Sequence, residues 1–288
     1  MKRQDIITEL ADRSRLPWST LSFCLENHDA CVPTFLLLLE REVRGLLLAE
    51  EEQRALFFGI HLLGAFQVRE AFAPLQTALC GDSIRAVRLV GDAIGDTVPR
   101  VLMGLGKHKS DACWDAVASP QTDWLVREAF LRCWTFEVLE DRLSMQAAEE
   151  KLRRFPTSVA PEPDNFLWMA WMTAIADLGL SSLAPLIDRT INSGQIETGP
   201  LGLLPNDIAV FHEDLKEAKK ARKEKQPAFN IWRELKRYTA FSGTYQDFYQ
   251  AGCHVLVDGS NEYKAAGEKE RSILAADQET PFDDAPEA

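Results

Sequence analysis

The stretch Leu63–Leu75, LGAFQVREAFAPL, reads as the end of one helix, a tight turn, and the first turn of a second helix that contains proline and then an apolar residue. Proline is admissible in a first helical turn because its missing N–H has no intrahelical partner there, so it marks where the second helix begins. The layout returns at Ile175–Ile187, IADLGLSSLAPLI, and more loosely at Leu89–Leu102, LVGDAIGDTVPRVL. A chain that repeats helix, turn and helix in this way is expected to pile antiparallel helix pairs side by side; a closed helical bundle is the alternative.

Outward from these stretches, apolar residues recur at helical spacing: Leu56, Ile60 and Leu63; Val126, Phe130, Cys133 and Trp134; Leu167, Trp171, Ala174 and Leu178. Alternating strand patterns are missing, and the one Asp-Gly pair, Asp258-Gly259, opens a polar stretch instead of a hairpin. Pro17 suits a first helical turn, Ser110, Thr122, Asp164 and Ser182 are candidate N-caps, and Gly81, Gly106 and Gly194 follow apolar helical runs. The expected fold is all-α, about ten helices of roughly 8 to 16 residues.

The 288 residues are 46% apolar and 26% charged, the composition of an ordinary globular protein, which excludes collagen-like, disordered and disulfide-stapled classes. The longest run without Asp, Glu, Lys or Arg, Ala55–Val68, has 14 residues, short of the roughly 18 to 20 that cross a bilayer. Asp5, Glu9 and Asp12 interrupt any apolar signal region, so a cytoplasmic location and no membrane partner are expected. Six cysteines, Cys24, Cys31, Cys80, Cys113, Cys133 and Cys253, lie in apolar helical patterns without a C-x-x-C pair and read as reduced structural thiols.

Charge divides the chain into three parts. Residues 1–212, the expected helical-repeat domain, carry a net −9; residues 213–237 carry +4, within an expected basic helix and C-terminal helical segment spanning 213–257; residues 258–288 carry −6 and read as a disordered acidic tail.

The helix–turn–proline–helix pattern resembles HEAT-type repeats, whose helix pairs stack into a curved solenoid. Proline spacings of 25 and 86 residues mark the repeats as irregular. Four runs read together, His61–Leu79, Leu89–Leu105, Leu125–Ser144 and Asn230–Tyr245, resemble an uncharacterised bacterial family of unknown function with HEAT-like helices. The resemblance covers roughly residues 5 to 250, and its most specific piece is the Gly-Asp…Asp-x-x-Pro-Arg run at Gly91–Arg100. It implies a HEAT-like fold and supplies no activity. Some members of that family end in a Cys-rich SEC-C-type zinc motif; this sequence has no cysteine after Cys253, so that element is not carried over.

The densest polar constellation is Asp92, Asp96 and Arg100, spaced i, i+4 and i+8, with Glu70 and His61 in the preceding pair. It reads either as an inner-wall cluster receiving a basic peptide or metal, or as a structural ladder in which Asp96 caps the helix containing Pro99. Cys24, His28 and Cys31 would share one helical face, but zinc sites want a fourth ligand and Leu21, Leu25 and Phe35 mark this face as core. His212-Glu213 invites comparison with iron-binding HEAT-repeat hydroxylases, yet occurs once where those enzymes repeat it. Nucleophile elbows and phosphate-cradling loops are missing, and Pro200 and Pro205 remove N–H donors from the Gly-rich Thr198–Gly202 stretch. No catalytic residue, cofactor or metal is therefore assigned.

Lys216, Lys219, Lys220 and Lys223 fall along one helical face, where they could meet nucleic-acid phosphates, or form ion pairs with Glu213, Glu217 and Glu224 on a solvated helix. Trp168, one position off the apolar stripe, is expected to be partly exposed and able to anchor a partner. The function expected is a non-enzymatic scaffold or adaptor that binds a basic or mixed-charge segment of another protein through Glu70, Asp92, Asp96, Arg100 and Trp168. The alternatives are a nucleic-acid-binding protein acting through residues 216–237 and, more weakly, a metal-dependent enzyme using His61, Glu70, Asp92 and Asp96.

Overall fold

The computed structural model describes residues 2–11, 16–199, 202–221, 231, 234 and 235, all within one compact unit, Met1–Thr244. The described residues form thirteen α-helices: α1 (Arg3–Ala11), α2 (Trp18–Glu26), α3 (His28–Val43), α4 (Glu50–Ala65), α5 (Phe72–Cys80), α6 (Ser83–Val90), α7 (Val98–Leu105), α8 (Ser110–Ala118), α9 (Trp124–Leu139), α10 (Met145–Ser158), α11 (Leu167–Asp177), α12 (Ala184–Asn192) and α13 (Pro205–Ala221). Short 3-10 turns occupy Arg69–Ala71, Gly91–Ile94 and Ser181–Leu183, and no strand occurs among the described residues. Among them, too, no helix is long and apolar enough to cross a membrane. The count exceeds the ten expected because several elements are only eight or nine residues long, below the length at which periodicity separates neighbours.

Local chemistry sets the boundaries. Pro99 and Pro185 stand in the first turns of α7 and α12, Pro74 in that of α5, and Gly81 and Gly106 are the C-caps of α5 and α7. Gly91 ends α6 at φ +54 and ψ −139, a conformation open to glycine and costly for other residues, which lets the chain turn at once into the next segment. Some caps sit one residue from where they were expected: Asp123, not Thr122, accepts the Leu125 N–H at 2.9 Å, and Asn165, not Asp164, accepts that of Leu167 at 2.9 Å. Neighbouring short polar residues compete for the same cap, and the entering backbone decides between them.

Packing proceeds in an orderly succession. α1 lies on α4, α4 on α7, α7 on α9, α9 on α11 and α11 on α13. The intervening helices link in parallel: α3 packs on α5, Gln76 of α5 donates to the Ala112 carbonyl of α8 at 2.7 Å, and Trp114 of α8 meets Phe155 of α10 edge-on at 6.5 Å. Ser182, just before α12, donates to Glu149 of α10 at 2.9 Å. The α4/α7 crossing is unusually close, since a Cβ on Gly104 would lie 2.5 Å from the Gly64 carbonyl oxygen.

The densest core gathers Trp114, Trp134, Phe155, Trp168 and Trp171. Phe155 stacks on Trp171 at 5.5 Å, and the two indole N–H groups of Trp168 and Trp171 donate to the Glu162 and Leu152 carbonyls at 3.0 and 2.9 Å. Burial of each ring is worth roughly 4 to 6 kcal/mol before entropy. The expected partial exposure of Trp168 is thereby corrected: it is 1% exposed, because α11 is covered by α9, α10 and α13 together and a single-stripe reading of its faces fails. α13 runs without a break through positions 212 and 213 and packs on α11. The 258–288 tail lies outside the described residues.

Candidate interaction face

The expected polar constellation does not form one helical face. Asp92 lies in the 3-10 turn Gly91–Ile94, Asp96 in the link to α7, and Arg100 within α7. Both aspartates are exposed, as is Glu70 in the 3-10 turn before α5. Asp96 does not cap α7. That position belongs to Thr97, whose buried hydroxyl donates instead to Nε2 of His61 at 2.7 Å. His61 is 0% exposed, its Nδ1–H donates to the Phe57 carbonyl at 2.8 Å, and burial lowers its pKa to about 4. Both ring nitrogens are thus spent inside the core, which corrects the placement of His61 beside Glu70, Asp92 and Asp96 in a metal-dependent site. Among the described residues no three His, Cys, Asp or Glu side chains are gathered so that they could hold a metal ion.

Cys24, His28 and Cys31 also separate. Asn27 breaks the chain between α2 and α3; Cys24 and Cys31 turn inward and His28 turns out to Asp29 at 3.0 Å. The Cys24 thiol is pushed well above its ordinary range by burial first and by Cys31 second. Cys113 and Cys133 meet across α8 and α9 with 3.6 Å between sulfurs, and the Cys133 thiol is raised chiefly by this contact and then by burial. Burial pushes the half-buried Cys80 up to about 11. The five described cysteines are free thiols. His212 pairs with Asp188 at 3.4 Å.

What the helix succession does bring together is a strip along α7, α9, α11 and α13. Leu125 of α9 lies against Gly95, just before α7, and Arg132 of α9 donates to the Gly95 carbonyl at 3.0 Å. Leu125, Glu128 and Arg132, spaced i, i+3 and i+7, follow one side of α9. Arg132 of α9 and Asp214 of α13 both act electrostatically on Asp177 at the end of α11. Asp177 reaches water, yet the helices around it raise its carboxyl above the usual range, opposed by Arg132 and reinforced by Asp214. Glu128 is raised by burial, with Arg132 opposing. Toward the N-terminal ends of α9 and α11 the character becomes apolar: Trp124 meets Phe166 at 5.3 Å, Phe166 is 48% exposed and Met169 is 39% exposed. Val210 of α13 is exposed as well.

At the α7 end, Arg100 Nε donates to Oε1 of Glu234 at 3.1 Å, with Arg100 only 13% and Glu234 1% exposed. Arg100 is thus engaged across 134 positions of sequence. Lys216 is exposed on α13; Lys219 and Lys220 belong to the same helix, and their side chains and all of Lys223 lie outside what is described. Arg132, Asp177 and Asp214 escaped the sequence reading. They sit in three separate helices, and the only signal available was a polar residue interrupting each apolar pattern. No protein-family model, curated protein or solved structure matches the chain.

Proposed function

We propose that the chain is a HEAT-like helical-repeat scaffold that binds a mixed-charge segment of another protein along the exposed sides of α11 and α13 and the half-buried edges of α7 and α9 next to them. In this reading α3 and α4, α5 and α7, α8 and α9, α10 and α11, and α12 and α13 are successive antiparallel pairs of a solenoid, with α4, α7, α9, α11 and α13 forming its inner row. The reading is the one implied by the likeness to the uncharacterised bacterial family with HEAT-like helices. The observation that carries it is the run along α11: Phe166 and Met169 toward its N-terminal end and Asp177 at its C-terminal end remain open to water, with Arg132 of α9 and Asp214 of α13 in electrostatic reach of Asp177. Exposed aromatic and thioether area gives a partner something to cover, and alternating charges set register and exclude wrong partners.

The test is affinity capture from the native cell with the wild-type chain and with the folded double variant Phe166→Asp/Asp177→Lys, followed by titration calorimetry of the purified partner. A partner bound by the wild type and weakened at least about tenfold by the double variant supports the scaffold. A partner held equally by both removes this face from the function.

A further inference from the structure

Every residue of α11 is buried except Met169, Thr173 and Asp177, and Phe166, just before the helix, is exposed. Positions 166, 169, 173 and 177 are spaced i, i+3, i+7 and i+11, so one line of open side chains runs the length of an otherwise enclosed helix. Water favours polar residues along such a line, whereas Phe and Met are residue types that protein interfaces collect. The line changes character from start to end. Trp124 of α9 flanks its start, with its ring centroid 5.3 Å from that of Phe166. Its end is anionic: Asp214 of α13 repels Asp177, and the one guanidinium acting there, Arg132, is divided among Asp177, Glu128 and the Gly95 carbonyl, to which it donates at 3.0 Å. One cation against three carboxylates leaves this end net negative, so a cation brought there relieves repulsion and an anion adds to it.

At 1.5 Å per helical residue, Phe166 and Asp177 stand about 16 Å apart, a span that an extended chain covers in about five residues. A line one side chain wide suits an extended chain, whereas a docked helix is about 10 Å across. We propose that this line of α11 receives an extended segment of another protein that lays an aromatic or aliphatic side chain on Phe166 and Met169 and, about five residues away, a lysine or arginine between Asp177 and Asp214. The proposal rests on the scaffold reading and narrows its mixed-charge partner to one whose basic residue lies at the C-terminal end of α11.

Selection of a displayed random dodecapeptide library on the full chain tests this, with each enriched peptide then measured by fluorescence anisotropy. Enriched sequences are expected to carry Lys or Arg about four to six positions from an aromatic or aliphatic residue. They are expected to bind at least about tenfold more weakly to the Phe166→Ala chain and to the Asp177→Lys/Asp214→Lys chain. Replacing the peptide's basic residue by Glu is expected to restore binding to the doubly reversed chain, an exchange that altered folding would not produce. Asp214→Lys alone, at an exposed position of α13, is expected to act in the same direction and replaces the double variant if that one loses its circular-dichroism spectrum. No enrichment, or enriched peptides that lack a basic residue or ignore the charge reversals, overturns the inference. Peptides that depend on Phe166 but not on charge overturn it and leave the scaffold standing. Self-association of the chain, read by light scattering and abolished by Phe166→Asp, places a second copy on this face and also overturns it. Peptides that obey the charge exchange, while the native partner is held equally by Phe166→Asp/Asp177→Lys, uphold the inference and remove the scaffold.

Discussion

Acidification should weaken the fold through His61 before most carboxylates titrate. The ring is fully buried, donates through Nδ1 to the Phe57 carbonyl and accepts at Nε2 from Thr97, so an added proton would displace the Thr97 hydroxyl proton and place a charge in the core. Its pKa falls from 6.5 to about 4 on folding. Between these values the unfolded chain binds a proton that the folded chain refuses, so stability is complete above about pH 6.5 and declines as the pH falls toward 4. At about 1.36 kcal/mol per pKa unit, the loss relative to pH 7.5 is about 2 kcal/mol at pH 5 and on the order of 3 kcal/mol below pH 4. Urea unfolding of the wild type and of His61→Gln across this range isolates the effect, since carboxylate contributions are common to both and cancel in the difference. The wild type is expected to lose about 2 kcal/mol more than the variant between pH 7.5 and pH 5. Parallel curves would refute the argument that a neutral, fully engaged His61 belongs to the folded state.

Three further outcomes follow from the packing. Gly104→Ala, although it favours helix by about 1 kcal/mol in isolation, should destabilise by roughly 1 to 3 kcal/mol because its Cβ would meet the Gly64 carbonyl rather than a yielding side chain; calorimetry should show a lower Tm. Trp168→Ala should cost about 3 to 5 kcal/mol in denaturant unfolding, whereas Phe166→Ala, two residues away and half exposed, should cost less than about 1 kcal/mol. Alkylation with iodoacetamide at pH 8, read by peptide mass spectrometry, should leave Cys24 and Cys133 unmodified and Cys80 slow until urea is added; rapid modification of Cys24 in the folded chain would contradict its burial and raised pKa.

The face was legible only in part before the fold was known. Arg100 could be singled out because it stands in a dense local run of charges, but its partner Glu234 lies 134 positions on, beyond the six helices α8 to α13 of the described residues. Arg132, Asp177 and Asp214 look like ordinary solvated positions one helix at a time. Trp168 misled for the opposite reason: periodicity describes burial against one neighbour, and α11 has three.

Sequence alone determined what nearest neighbours along the chain can settle: that the described residues are helical, that Pro99 and Pro185 begin helices, that Gly81 and Gly106 end them, and that the described cysteines stay unpaired. Those features depend on backbone freedom and hydrogen bonds within a few residues. Tertiary structure decided which helices touch, and with that which polar side chains are sealed in, as His61 is, and which converge on one surface, as Arg132, Asp177 and Asp214 do. Helix-on-helix contact is a matter of shape between segments far apart in the chain, and no local pattern encodes it.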